Sequence, residues 1–94
     1  MSVVLDVQSL VSHIREAVLE LQRRGLKVIL VYDADFSGLP SLLASNEIKK
    51  DDLLFIKAYN RPTYVDAIRI AAEYEAFHVT KATMEELLSA SKAL

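Results

Sequence analysis

The stretch of residues 26–38, which reads LKVILVYDADFSG, constrains the fold more than any other part of the chain. Its apolar residues run almost unbroken to Tyr32, and Asp33 and Asp35 follow at once. A short β-branched run that ends in acids and glycine is typical of a strand covered on both faces. In open parallel sheets, ligands bind beyond the carboxyl ends of the strands. We therefore expect Asp33 and Asp35 to lie at the edge where such a sheet binds its ligands.

Length and composition predict one globular domain over residues 1–94. The chain is 52% apolar and 26% charged, with a formal net charge of −2, so a nucleic acid would need a local basic patch or bound metal ions. The absence of cysteine excludes disulfides, thiolate catalysis and zinc–thiolate sites. No stretch has the pattern of a signal peptide or a membrane span, which predicts a cytoplasmic protein without a membrane partner.

Apolar runs and helical periodicity predict four successive strand–helix units. The predicted strands cover residues 3–6, 27–32, 53–59 and 77–80, and the predicted helices cover 9–24, 40–45, 63–75 and the residues from 83 onward. This alternation favours a parallel sheet with helices on both faces, joined by right-handed crossovers. One alternative stays open, because the apolar residues near the N-terminus also keep a 3–4 spacing and fit a helix that starts near Ser2.

Several local patterns predict how the helices end and which faces they bury. Gly25 is expected to adopt the left-handed conformation after the first long helix. Thr63 with Asp66, and Thr83 with Glu86, have the spacing of capping boxes. For the helix over 63–75, the expected inner face carries Val65, Ile68, Ala72 and also Ala71, and in the last helix it carries Leu87 and Leu88.

Four acids are candidates for a metal site at the carboxyl edge: Asp6, Asp33, Asp35 and Asp66. Mg²⁺ and Mn²⁺ prefer carboxylate oxygens, and an ion held there can polarise a phosphodiester and activate a water molecule. Each acid also has a structural explanation, since aspartate commonly closes turns and caps helices. The sequence therefore predicts a possible metal site and does not identify one.

Three segments together resemble a known family of nucleases. The segments are Val3-Val4-Leu5-Asp6, Lys27-Val-Ile-Leu-Val-Tyr32 and Tyr64-Val65-Asp66. They look like the PIN-like domains of the NYN ribonuclease branch associated with CCCH zinc fingers. The resemblance implies a metal-dependent ribonuclease in which Asp6 and Asp66 hold Mg²⁺ or Mn²⁺. The chain departs from the family where Val65 replaces the first acid of an Asp-Asp pair and where Ala82 replaces the last acid.

The fold expected on these grounds is a three-layer α/β/α domain with a four-stranded, mostly parallel sheet, PIN-like or Rossmannoid. The nuclease hypothesis assigns catalysis to Asp6, Asp66 and Asp35, with Asp33 as a further metal ligand. It assigns RNA binding to basic and aromatic residues: Arg61, Lys57, Arg69 and Tyr59. The alternative is a non-catalytic module that binds RNA or protein, PIN-like or similar to Toprim domains through Asp33-Ala-Asp35. A homodimer is expected in either case.

Overall fold

The computed structural model of the protein describes residues 1–10, 13–33, 44–60 and 62–93. These residues form four strands and three α-helices, in the order β1 (Ser2–Asp6), α1 (Ile14–Arg23), β2 (Lys27–Tyr32), β3 (Leu53–Lys57), α2 (Tyr64–Glu73), β4 (Phe77–Val79) and α3 (Lys81–Ala93). Short 3-10 turns at Val7–Leu10 and Lys50–Asp52 precede α1 and β3. The predicted strand–helix alternation is confirmed for the first, third and fourth units in the described part of the chain.

The four strands are parallel and lie side by side in the order β3-β2-β1-β4. The chain adds β2 and β3 on one side of β1 and then returns to add β4 on the other side. Because crossovers between parallel strands are right-handed, this reversal sends the connecting helices to opposite faces of the sheet. Residues of α1 and α3 share one core cluster, and α2 packs on β1 and β4 from the other face. The predicted three-layer α/β/α fold is therefore confirmed.

The core consists of two clusters separated by the central strands. Alternate residues of β1 and β2 enter each cluster, because successive side chains of a strand point to opposite faces. The cluster beneath α1 and α3 contains Val3, Leu5, Val28, Leu30 and Met84, and the cluster beneath α2 contains Val4, Ile29, Val31, Ala67 and Ile70. The predicted burial of residues 27–32 on both faces is confirmed for Val28–Val31. The inward positions expected for Leu87 and Leu88 are also confirmed.

The N-terminal segment is a strand, which rules out the alternative helical start. Residues Ser2–Asp6 pair in register with Lys27–Val31 of β2. The predicted start of the first helix near Ser9 is wrong, because the chain first makes a 3-10 turn that buries Val7 against the core. The helix predicted over residues 40–45 falls mainly outside the described residues.

The orientation of α2 differs from the predicted one. The buried residues are Asp66, Ala67, Ile70 and Ala71, while Val65, Ile68 and Ala72 face outward. Of the expected inner face, only Ala71 is buried. Two of the four buried residues, Ala67 and Ala71, are alanines that pack on the sheet. The prediction was wrong because apolar residues lie on most sides of this helix, so their spacing does not indicate which face is buried. Only the position of Asp66 distinguishes the buried face from the predicted one.

Gly25 adopts the left-handed conformation just after α1, as predicted. Gly25 has a φ of +80°, its N–H donates to the Gln22 carbonyl at 2.9 Å, and the Leu26 N–H donates to the Leu21 carbonyl at 3.1 Å. These two hydrogen bonds form a Schellman motif, whose left-handed residue is usually glycine. The helix α3 begins differently from its prediction, since the Thr80 hydroxyl accepts from the Thr83 N–H at 3.2 Å. Thr80, not Thr83, is therefore the N-cap.

The helix α2 ends with the same motif built on a residue other than glycine. Glu75 has a φ of +52°, and the Ala76 N–H donates to the Ala71 carbonyl at 2.9 Å. A residue with a Cβ atom is strained in this left-handed conformation. The same backbone geometry therefore occurs at Gly25 without strain and at Glu75 with strain.

Replacing Glu75 with glycine should stabilise the protein. We expect Glu75→Gly to raise the free energy of unfolding by about 0.5–1 kcal/mol, because relief of the left-handed strain exceeds the added entropy of the unfolded chain. The matched control is Gly25→Ala, which should lower it by about 1 kcal/mol. An added Cβ at Gly25 meets no atom within 4 Å, so only the backbone conformation is tested there. Urea unfolding measures both, and a destabilised Glu75→Gly would refute the strain.

A buried glutamine joins α1 to the segment that leads into β3. The Gln22 amide nitrogen donates to the Lys49 carbonyl at 2.8 Å and to the Asp52 carbonyl at 3.4 Å. Its amide oxygen accepts from the Lys49 N–H at 2.8 Å. Because both ends of the amide bind backbone groups that lie 27 to 30 residues away, Gln22 fixes this loop where the edge strand begins.

Gln22→Leu should destabilise the protein by about 1–2 kcal/mol, since it removes the hydrogen bonds that a buried side chain makes to the backbone of Lys49 and Asp52. Gln22→Glu keeps the acceptor for the Lys49 N–H but replaces the donor, so it should also destabilise. Arg15→Leu, at an exposed position of the same helix, is the control and should change stability by less than about 0.5 kcal/mol. Equal unfolding midpoints for Gln22→Leu and Arg15→Leu would contradict a role for the glutamine.

Candidate functional site

The carboxyl ends of the strands meet at one edge of the sheet, as the sequence predicted. Asp6 ends β1, half-buried Asp33 follows β2, and Tyr59 with Asn60 follows β3. Two predicted residues, the metal and catalytic candidate Asp35 and the RNA-binding candidate Arg61, lie outside the described residues. The edge therefore brings Asp6 and Asp33 to the ends of neighbouring strands, and their surroundings decide what they can do.

Asp6 connects the end of β1 to the start of α2. Its side chain is only 5% exposed, and its Oδ1 accepts from the Thr63 hydroxyl at 2.6 Å and from the Gln8 N–H at 3.2 Å. The Gln8 amide oxygen lies 2.9 Å from the same hydroxyl. A hydroxyl has one proton, so Asp6 and Gln8 compete for it. This carboxylate therefore binds a residue 57 positions away in the chain.

The capping box predicted for Thr63 and Asp66 does not form. Thr63 is the N-cap residue of α2, but its side chain makes no capping hydrogen bond. Its hydroxyl is directed to Asp6, and the Asp66 carboxylate binds residues that precede the cap. The prediction is wrong because the end of β1 competes for the threonine hydroxyl, which local spacing does not reveal.

The Asp66 carboxylate accepts hydrogen bonds at both of its oxygens. Its Oδ2 accepts from the N–H groups of Tyr59 and Asn60, each at 2.7 Å. Its Oδ1 accepts from the Asn60 side-chain amide at 2.9 Å and from the Arg69 guanidinium at 3.3 Å. The residue is 1% exposed. Asp66 therefore holds the connection from β3 to α2 through four donors.

These donors favour the ionised form of Asp66. The Asn60 N–H contributes most, followed by the Asn60 side chain, the Tyr59 N–H and Arg69, and together they outweigh burial and lower the pKa of Asp66 to about 2. Hydrogen bonds to a carboxylate stabilise its charged form. In turn, hydrogen bonds to Glu73 and then to Asp66 raise the pKa of Arg69. Asp66 is therefore a stabilised anion and a poor proton acceptor.

The described residues do not supply a complete metal site. Within residues 1–10, 13–33, 44–60 and 62–93, no group of three or more histidines, aspartates and glutamates is placed to hold an ion. The described hydrogen bonds to Asp6 and Asp66 come from different residues, so the two acids do not form one polar cluster through them. A metal at Asp66 would have to displace donors that already satisfy both oxygens.

Three of the predicted substrate-binding residues lie in the described part of the chain: Lys57, Tyr59 and Arg69. Lys57 and Tyr59 are exposed at and just after the end of β3. Arg69 is half-exposed on α2, where its guanidinium binds Glu73 at 2.8 Å and Asp66 at 3.3 Å. Since both ion pairs neutralise it within the chain, Arg69 offers little net charge to a phosphate.

Comparisons of this chain with protein-family models, with curated proteins and with solved structures found no significant match. Nothing in them identifies a PIN-like domain, so that resemblance stays a prediction. Among the helices in the described part of the chain, none has both the length and the apolar content needed to span a membrane.

Sequence reasoning missed the polar partners that fix this edge. Gln8, Thr63 and Asn60 bind the two acids, and none of them belongs to a pattern that indicates such contacts. The available signal was indirect. Asn60 and Pro62 mark the end of the third strand, and the loop that follows a strand exposes backbone N–H groups. A nearby acid at the start of a helix is a natural acceptor for them.

Replacing Asp66 with asparagine tests its structural role. The lowered pKa means that Asp66 stabilises the fold fully above about pH 3.8 and that this contribution is lost as the pH falls through about 2. We expect Asp66→Asn to be less stable at neutral pH. The asparagine amide replaces one acceptor oxygen with an N–H donor, which then faces the N–H donors that bind the aspartate. The stability difference between the two proteins should shrink between about pH 4 and pH 2, as urea unfolding can measure.

Asp51→Asn removes the same charge at an exposed position and controls for the change in net charge. A stability difference between wild type and Asp66→Asn that stays constant down to pH 2 would contradict the proposed role of the ionised carboxylate.

Proposed function

We propose that this chain is a non-catalytic module that binds a protein partner through the outer face of α2. The observation that carries this proposal is an apolar surface, the α2 stripe, which consists of Val65, Ile68 and Ala72. Val65 is 44% exposed, Ile68 is 53% exposed, and Ala72 is exposed as well. At 3.6 residues per turn, the three residues lie within about 60° of one another around the helix.

The α2 stripe is a consequence of how the helix is anchored. Asp66 is held by four donors, and Ala67 and Ala71 pack on the sheet, so the helix cannot rotate to bury Val65 and Ile68 without breaking these contacts. Tyr64, at the start of the same helix, is 51% exposed and adds a further large side chain to the exposed surface of α2. Contiguous exposed apolar surface commonly marks an interaction site.

The chemistry of this surface favours a protein over RNA. RNA binding depends on cationic contacts to phosphates, whereas the chain carries a net charge of −2 and the Arg69 cation is paired with two carboxylates. Val65, Ile68 and Ala72 have no aromatic ring on which a base can stack, and the ring of Tyr64 lies beside them at the start of the helix. Apolar side chains at helical spacing are instead the usual anchors of helix-mediated protein binding.

The state of two of the four candidate acids, Asp6 and Asp66, favours a module without catalysis. Asp66 has no acceptor capacity left for a metal without losing donors, and Asp6 is bound by Thr63 and Gln8. A hydrolytic metal site needs carboxylates whose oxygens are available to coordinate the ion. Metal-dependent cleavage of RNA is therefore treated as the outcome that would overturn the proposal.

Two measurements on the full chain test this function. Labelled single-stranded RNA incubated with Mn²⁺ should remain intact, and neither Mn²⁺ nor Mg²⁺ should raise the melting temperature. Cleavage that depends on Mn²⁺ and disappears with EDTA and with Asp6→Asn would instead support the nuclease and refute the non-catalytic proposal.

The binding surface is tested with a matched pair of variants, Ile68→Glu and Phe77→Glu. Both replace an exposed apolar residue with the same acid, but Phe77 lies on the opposite face of the sheet, in register with Val3. A partner cross-linked in the cells that make the protein is purified, and its affinity for each variant is measured. Ile68→Glu should reduce the affinity at least tenfold, about 1.4 kcal/mol, while Phe77→Glu should not. Equal affinities would refute the proposed surface.

A further inference from the structure

We draw no further inference here: the strongest candidate, the edge strand β4 with the 63% exposed side chain of Phe77, leaves an apolar patch at one end of the sheet, and nothing in the described part of the structure shows what covers it.

Discussion

The position of β1 between β2 and β4 is the constraint on which the rest of the structure depends. A strand paired on both sides and covered on both faces must be apolar in both directions, and Val3, Val4 and Leu5 meet that demand. The chain can extend the sheet from β1 in only two directions, and it uses both. Because crossovers between parallel strands are right-handed, connections that run in opposite directions across the sheet lie on opposite faces. Two described helices lie on one face of the sheet, and α2 lies on the other.

The unequal division gives α2 its importance. In the described part of the chain, α2 contacts β1 and β4 from its side of the sheet, and the outer strand β3 keeps Leu54 partly exposed on that face. A four-stranded sheet is about 19 Å wide, whereas one helix is about 10 Å wide, so a single helix cannot cover such a face. Exposed apolar surface on this side of the sheet follows from the topology itself.

A buried charge decides which way α2 faces. Burial of an ionised carboxylate is unfavourable unless hydrogen bonds compensate for the lost water, and Asp66 receives them from the loop that precedes its own helix. Turning the helix to bury Val65 and Ile68 would leave two backbone N–H groups of that loop without their acceptor. The polar contacts therefore outweigh the burial of two aliphatic side chains.

The strands were predictable because strands that are buried on both faces appear in the sequence as continuous apolar runs. The face of α2 was not, because Val65, Ile68, Ile70 and three alanines surround the helix and periodicity alone does not choose among them. Asp6 and Asp33 lie at strand ends as expected, but the role of Asp6 depends on donors such as Thr63, 57 residues away in the chain. Contacts over such separations leave no periodic signal in a single sequence.

The two acids also show why strand-end carboxylates are ambiguous. The loops that follow parallel strands expose N–H groups at the edge where ligands bind, so an aspartate there has the same geometry whether it serves the loop or a metal. What separates the two roles is how many donors the carboxylate already holds. Asp66 holds four and is in effect saturated by the protein. An aspartate in that state stabilises the fold. The proposed function is therefore placed on the exposed surface of the molecule, not on this carboxylate.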